Sequence, residues 1–196
     1  MEQNEVWNAI AGKWAKFRTN PTKEIVEFLD DKSGIVLDLG CGSGRHFFES
    51  DDLKFYGMDF SEKLLKIAGE KGYVELKNGD VGDIPYSDGF FDLIIFVRVL
   101  HCVEDEKKRV ESLREVYRVL KSGGEAVIST WGKGHSRTKN KGKEFYVPWS
   151  VGSEKVERYT YIYDRDELER QLKEIGFEIV SLEEGENVVA IVKKVK

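Results

Sequence analysis

The sequence predicts an α/β fold: a mostly parallel β-sheet with helices on both faces and an antiparallel hairpin at its C-terminal margin. Three observations carry that expectation. Short apolar runs bounded by turn residues alternate with amphipathic stretches, the rhythm of β-then-α units. The first run, VLDL, breaks into glycines at positions 40, 42 and 44, leaving bare backbone at the carboxyl end of a strand. The ending GFEIVSLEEGENVVAIVKKV places two apolar runs around the turn Glu184-Gly185-Glu186-Asn187.

Taken in order, residues 1–34 supply helical pieces, EVWNAIAGKWAKFRTNPTKEIVEFLDD, with Pro21 near the start of the second piece. Strands are expected at IVLDL (35–39), KFYGMD (54–59), YVELKNGD (73–80, the short one), FDLIIFV (91–97) and EAVISTW (125–131). With the hairpin, that makes seven. A helix is expected at Arg45 to Glu49 after the glycines. Ser61 N-caps another, whose Leu64, Leu65, Ile67 and Ala68 form the apolar face and which ends near Gly72. The next starts at about Glu106. Its Val110, Leu113, Val116, Tyr117 and Leu120 share one face, and Gly123-Gly124 stop it. Residues 132–160 read as a long, polar, lysine-bearing excursion of the functional kind. A helix over 164–176 then leads into the hairpin. Neither a repeat nor a second domain is visible, so residues 1–196 form one domain with an N-terminal helical segment (1–34) and a basic, substrate-side insertion (132–160).

Composition narrows the function classes. The chain has 196 residues, 40% of them hydrophobic, enough for one sizeable core. A net charge of -5 argues against a uniformly basic nucleic-acid coat and allows a local basic patch. Cys41 and Cys102, the only cysteines, make neither a disulfide framework nor a zinc set, so no metal centre is expected and both read as small packing residues. The N-terminus lacks a basic-then-apolar signal pattern, and no apolar run approaches the roughly 18 residues needed to span a bilayer. The expectation is a cytoplasmic protein with no membrane contact. A 34% share of charged residues, mostly Lys and Glu, fits a heat-adapted protein.

The glycine loop selects a ligand. A dinucleotide fingerprint would place its third glycine at position 45, which is Arg45, and the Gly-Lys-Ser/Thr of a P-loop is absent. Asp38, just before the loop, would repel a pyrophosphate and suits an ammonium or sulfonium. S-adenosylmethionine carries both and has no phosphate. Asp59, at the end of the second strand, is placed to accept the ribose hydroxyls, and Asp80, closing the third, to accept from the adenine amino group. Cys41, Phe60, Val81 and Val97 complete the candidate cofactor set with Gly40, Gly42 and Gly44.

These residues resemble the Rossmann-like class I S-adenosylmethionine-dependent methyltransferases, and the resemblance covers Ile35 to Lys194. Four further blocks, VWNAIAGKWAKFR, RVLHCVEDEKKRVESLREVYRVLKSGGEAVIST, FYVPW and RYTYIYDRDELERQLKEIGF, are similar in order and content to the Trm9 and ALKBH8-type transfer-RNA wobble-uridine methyltransferases. Two positions depart from that pattern: His101-Cys102 stands where paired histidines are usual, and Arg158-Tyr159-Thr160-Tyr161 where Arg-Tyr-Tyr-His is frequent. The resemblance implies methyl esterification of a 5-carboxymethyl group on the wobble uridine of a tRNA anticodon stem-loop, and a small Trm112-like zinc protein as partner.

A carboxylate acceptor with pKa near 4 is already ionised at neutral pH, so such an enzyme needs alignment and water exclusion rather than a general base. Arg18 and Arg158 are candidates for a guanidinium fork on the distal carboxylate oxygen. His101, just past the fourth strand, is the rival anchor. Trp149 and Tyr159 are candidates for stacking on the splayed uridine. Lys139, Lys141 and Lys143, with Lys133, His135 and Arg137, concentrate positive charge for an RNA backbone. A small-molecule acceptor and a non-catalytic cofactor-binding subunit are the alternatives; the basic stretch favours RNA over a free metabolite.

Overall fold

A strand covered on both faces must be apolar along its whole length, and the run Val36 to Leu39 is buried residue for residue, Asp38 included. The computed structural model describes residues 1–17, 19–138 and 140–195. That buried run is β1 (Gly34–Leu39), flanked by β2 (Leu53–Asp59) and β4 (Phe91–Val97), both parallel to it. Adding β3 (Glu75–Asn78), β5 (Leu120–Trp131), β8 (Phe177–Glu184) and β9 (Asn187–Lys194) gives a seven-stranded sheet in the order β3-β2-β1-β4-β5-β9-β8. β9 alone runs against the direction of the other six, so the C-terminal hairpin closes one margin as expected. The direction of winding reverses between β1 and β4, and ligands of open α/β sheets bind at the carboxyl ends of strands beside such a reversal.

Alternation along β1 sends its side chains to two cores. Leu37 and Leu39 join Leu113 and Val116 of α4 (Glu106–Val119) and Leu168 and Leu172 of α5 (Arg165–Ile175) on one face. Val36 joins Ile25, Phe28 and Leu29 of α2 (Lys23–Leu29) on the other. A third cluster lies off the sheet. Val6, Trp7, Ile10 and Ala11 of α1 (Gln3–Lys16) pack against Leu64 of α3 (Glu62–Ala68). The side-chain oxygen of Asn8 fastens the two helices, accepting from Ser61 Oγ at 2.8 Å and from the Lys63 amide at 3.1 Å.

Three expectations are corrected. Residues 45–49 form no helix; they complete a turn and run on without regular structure. The chain must return the length of a seven-residue strand within the few residues left before Leu53, and extended backbone advances about 3.3 Å per residue against about 1.5 Å in a helix. The pair Gly123-Gly124 does not end α4, which stops at Val119; it lies inside β5, where the pairing with β4 shifts register between Phe91 and Leu93. Most of the excursion is ordered: β6 (Glu144–Val151) and β7 (Glu154–Tyr161) form an antiparallel hairpin around Gly152, whose φ of 61° suits the tight turn. Pro148 masks β6 in the sequence, yet it is tolerated because β6 has a strand neighbour on one side only. The hairpin packs on α1 through Val156 and Trp149, so α1 and the hairpin together roof the carboxyl ends of the central strands.

Candidate active site

The glycine loop is drawn over the end of β2. The amides of Gly40 and Cys41 donate to the Met58 carbonyl at 2.7 and 3.0 Å, and that of Gly42 donates to Asp59 Oδ2 at 2.8 Å. Gly40 has φ +72° and leaves no room for a Cβ beside Val99; at Gly42 (φ +56°) a Cβ would meet nothing within 4 Å, because this glycine faces a cavity.

That cavity, about 780 Å³, is bounded by Gly40, Cys41, Gly42, Asp59, Phe60, Asp80, Val81 and Val97, so eight of the ten predicted cofactor residues converge. The size suits a small-molecule site. Asp59 sits at its base with each oxygen already accepting one backbone amide, from Gly42 and, at 2.9 Å, from Ser61. Each oxygen keeps a second lone pair. Burial raises the Asp59 carboxyl to about 6 against the pull of those two amides, so new donors from a ligand would stabilise its ionised form. Asp80 holds the Gly82 amide at 2.9 Å and is reached by Lys108 at 2.6 Å. The open cradle at Gly42 and the donor-seeking Asp59 fit an adenosine ribose.

The other two predicted cofactor residues shape the loop from behind. A Cβ at Gly44 would crowd Lys71 and Tyr73. Asp38 does not line the cavity: its carboxylate accepts from the Tyr73 hydroxyl at 2.7 Å, with His46 Nδ1 3.7 Å away. Residue 38 alternates with Leu37 and Leu39, so it projects to the face where Tyr73 packs. Burial, reinforced by the Asp38 charge, pushes the Tyr73 phenol far above its ordinary value, which keeps it a donor.

Another wall of the cavity is backed by Arg158. Its side chain is 1% exposed, and no carboxylate among the described residues pairs with it. Nη1 reaches Cys102 Sγ at 3.9 Å, Nη2 reaches Thr160 Oγ1 at 3.4 Å, and Nε has no partner. The guanidinium instead lies over three indoles, Trp131 at 4.9 Å, Trp7 at 5.5 Å and Trp14 at 5.7 Å. Trp7, Trp14 and Cys102 also line the cavity, so the charge stands directly behind its wall. Burial lowers the Arg158 pKa, the response of a cation short of counter-charge.

His101 is a correction to the rival anchor. It is 1% exposed and lies parallel to Trp131, with centroids 4.9 Å apart and planes 14° apart. Burial, followed by the Arg158 charge, holds its pKa well below the usual histidine value, so it is a neutral ring at neutral pH. Tyr159 is interior rather than a stacking surface: its amide donates to Gln3 Oε1 at 2.9 Å and its hydroxyl accepts from Arg109 at 3.3 Å. Trp149 packs on Trp14 with centroids 5.7 Å apart, supporting the cage from outside. Lys143 is neutralised by Glu167 at 2.8 Å and Lys133 lies 3.5 Å from Asp164, so both are held by the start of α5; Lys141 is exposed near Phe145. Arg18 and Lys139 lie outside the described residues.

Trp7 and Trp14 were not singled out from the sequence, although a spacing of seven puts both on one helical face. Arg98 was also missed. It lines the cavity and is one of three described non-glycine residues with positive φ, at 60°, a strain that clusters at functional sites. Among the described residues there is no group of three or more potential metal ligands, and no helix is long and apolar enough to cross a membrane.

A family model described as a methyltransferase domain matches residues 37–128. The chain is 32% identical over 181 residues to a putative methyltransferase of Encephalitozoon cuniculi, covering 85% of this chain and 83% of that protein. It is 34% identical over 142 residues to the tRNA (carboxymethyluridine(34)-5-O)-methyltransferase alkbh8 of Xenopus tropicalis, covering 71% of this chain but only 22% of that protein's length. Among solved structures, the putative methyltransferase in a complex with the Haloferax volcanii Trm112 methyltransferase activator superposes with a TM-score of 0.73 at 13% identity, covering 100% of this chain and 99% of that one.

Asp59 is expected to make cofactor binding pH-dependent. Its carboxyl titrates near 6 in the empty protein, and ribose hydroxyls favour the ionised form, so binding should release a proton and weaken as pH falls through about 6. Asp59→Asn should bind S-adenosylmethionine more weakly at neutral pH and lose the dependence. Calorimetry between about pH 5 and pH 8 reads both; a flat wild-type profile would contradict the role given to Asp59.

Proposed function

The chain belongs to the class I S-adenosylmethionine-dependent methyltransferases, and from that premise we propose that it esterifies a carboxylate, the 5-carboxymethyl group of a wobble uridine in tRNA. The observation that carries this reading is the buried, unpaired guanidinium of Arg158 behind the cavity wall. A cation without a counter-ion, in reach of a methyl-donor site, selects an anionic acceptor and disfavours an amine. The identity to tRNA carboxymethyluridine methyltransferases supports the same acceptor.

When bound, S-adenosylmethionine supplies an electrophilic methyl group: the new carbon–oxygen bond forms as the carbon–sulfur bond breaks, and its electron pair leaves on sulfur. No proton moves. Asp59 and the glycine loop hold the adenosine end, which fixes where the methyl carbon lies relative to β1 and β4. Arg158 acts through the wall formed by Trp7, Trp14 and Cys102: its uncompensated charge favours an ionised carboxylate in the cavity over a neutral or cationic acceptor. Trp7 and Trp14 exclude water from the approach, and the neutral His101 gives Trp131 a rigid backing. Arg18 is proposed as a second guanidinium at the acceptor.

The partner side of the reading is a Trm112-like zinc protein docked on the free edge of β3, the four-residue margin of the sheet, where Val74 is exposed. Co-expression with such a protein should yield one complex on gel filtration, disrupted by Val74→Glu. Separate elution of the two wild-type chains would remove this partner.

Arg158→Lys keeps the charge but loses the planar stack on the three indoles, so kcat/KM for carboxymethyluridine tRNA should drop by roughly tenfold, and Arg158→Ala by roughly a hundredfold, with cofactor affinity unchanged. At saturating S-adenosylmethionine the rate should stay flat from above the acceptor's pKa to beyond neutrality, because the charge behind the cavity is an arginine's. A profile falling between about pH 6 and pH 8 and abolished by His101→Gln, together with a fully active Arg158→Ala, would overturn the assignment.

A further inference from the structure

Trp131 is stacked against two histidines, and only one of them is buried. His135 lies 3.9 Å from it with the planes 16° apart; it is half-exposed, whereas His101 and Trp131 are not. The three rings therefore form a near-parallel set that emerges at His135.

His135 is held in place. Its segment is a tight turn pinned by the buried Thr138, whose hydroxyl is 2.7 Å from the His135 carbonyl and 3.0 Å from that of Lys133. The Thr138 amide donates to the His135 carbonyl at 2.9 Å, the His135 amide to Gly132 at 3.2 Å, and the Arg137 amide to His135 Nδ1 at 3.2 Å. Nδ1 is thus an acceptor, which assigns the proton of the neutral ring to Nε2. Burial first, then the charges of Arg137, Arg98 and Arg158 against that of Glu186, lowers its pKa. The ring is flat, neutral, fixed and surrounded by more positive than negative charge.

We propose that His135 is a stacking platform for an unstacked nucleobase of the RNA substrate, with Arg98 and Arg137 beside it for the adjoining phosphates. The proposal rests on the RNA reading above and adds the residue that grips the strand. Nucleobases present a π-face whatever their identity, and single-stranded RNA is bound by stacking them on rings that include histidine, flanked by basic side chains. Within the turn Lys133 is taken up by Asp164, and Arg98 lies 3.3 Å from Glu24, whereas His135 is fixed by the turn's own hydrogen bonds. Arg98 lines the cavity, so a base on His135 belongs to the acceptor nucleotide or its immediate neighbour.

The test reads binding rather than methylation, so a failure to esterify carboxymethyluridine would leave it intact. A 5′-labelled single-stranded uridine oligonucleotide is titrated by fluorescence anisotropy into the full chain saturated with S-adenosylhomocysteine. His135→Ala should weaken binding on the order of tenfold, and His135→Phe, which keeps a ring, should restore most of it. Unchanged binding by His135→Ala, or Phe no better than Ala with cofactor affinity intact, would overturn the proposal. Should either variant also lose the cofactor, the wild type decides. Diethyl pyrocarbonate should modify His135 more slowly with the oligonucleotide bound, and equal rates would overturn it.

Discussion

The geometry of the cavity wall formed by α1 and the hairpin depends on one constraint: a guanidinium buried among indoles with no carboxylate partner among the described residues. Removing a charge from water costs several kcal/mol, and a desolvated cation–π contact returns about 2 kcal/mol, so the rings around Arg158 offset much of the cost without satisfying the charge. Meeting the constraint takes four pieces of chain. β7 carries Arg158, α1 brings Trp7 and Trp14, β5 ends in Trp131, and the turn Leu100–Cys102 adds the thiol and His101. The hairpin and α1 pack against each other around this charge.

The sheet meets the other half of the requirement. Between β1 and β4 the winding reverses, and the crevice opened there receives the glycine loop, with Asp59 beneath it. The parallel strands and their helices build the glycine loop and Asp59; α1 and the hairpin enclose the Arg158 guanidinium. Arg109 ties the two halves: its Nη1 donates to the Val103 and Glu104 carbonyls in the cavity wall and to the Tyr159 hydroxyl, while its guanidinium stacks 3.9 Å over Tyr161.

Where a segment's structure follows from its own pattern, the sequence was legible. β1, β4, α3, α5 and the C-terminal hairpin lie within a few residues of their expected places, because buried strands read as apolar runs and Ser61 and Asp164 cap their helices with side-chain oxygens. Gly42, Asp59 and Asp80 line the cavity at or just past the ends of β1, β2 and β3, where the sequence puts them. Legibility failed where tertiary partners decide. Asp38 faces Tyr73 rather than the cavity; Lys143 is paired with a helix that follows it in sequence; β6 is hidden by Pro148; and His101 is neutral through burial that no local pattern announces. Arg158 was a candidate, but the absence of a carboxylate beside it is a property of the packed chain.

The central claim is chemical: the methyl group goes to a carboxylate. It is tested by incubating the protein with methyl-labelled S-adenosylmethionine and tRNA carrying 5-carboxymethyluridine, then exposing the RNA to mild alkali. A methyl ester is saponified, so the label should leave as volatile methanol and the remaining nucleoside should be 5-carboxymethyluridine. Label that survives alkali on a base or ribose would contradict the account.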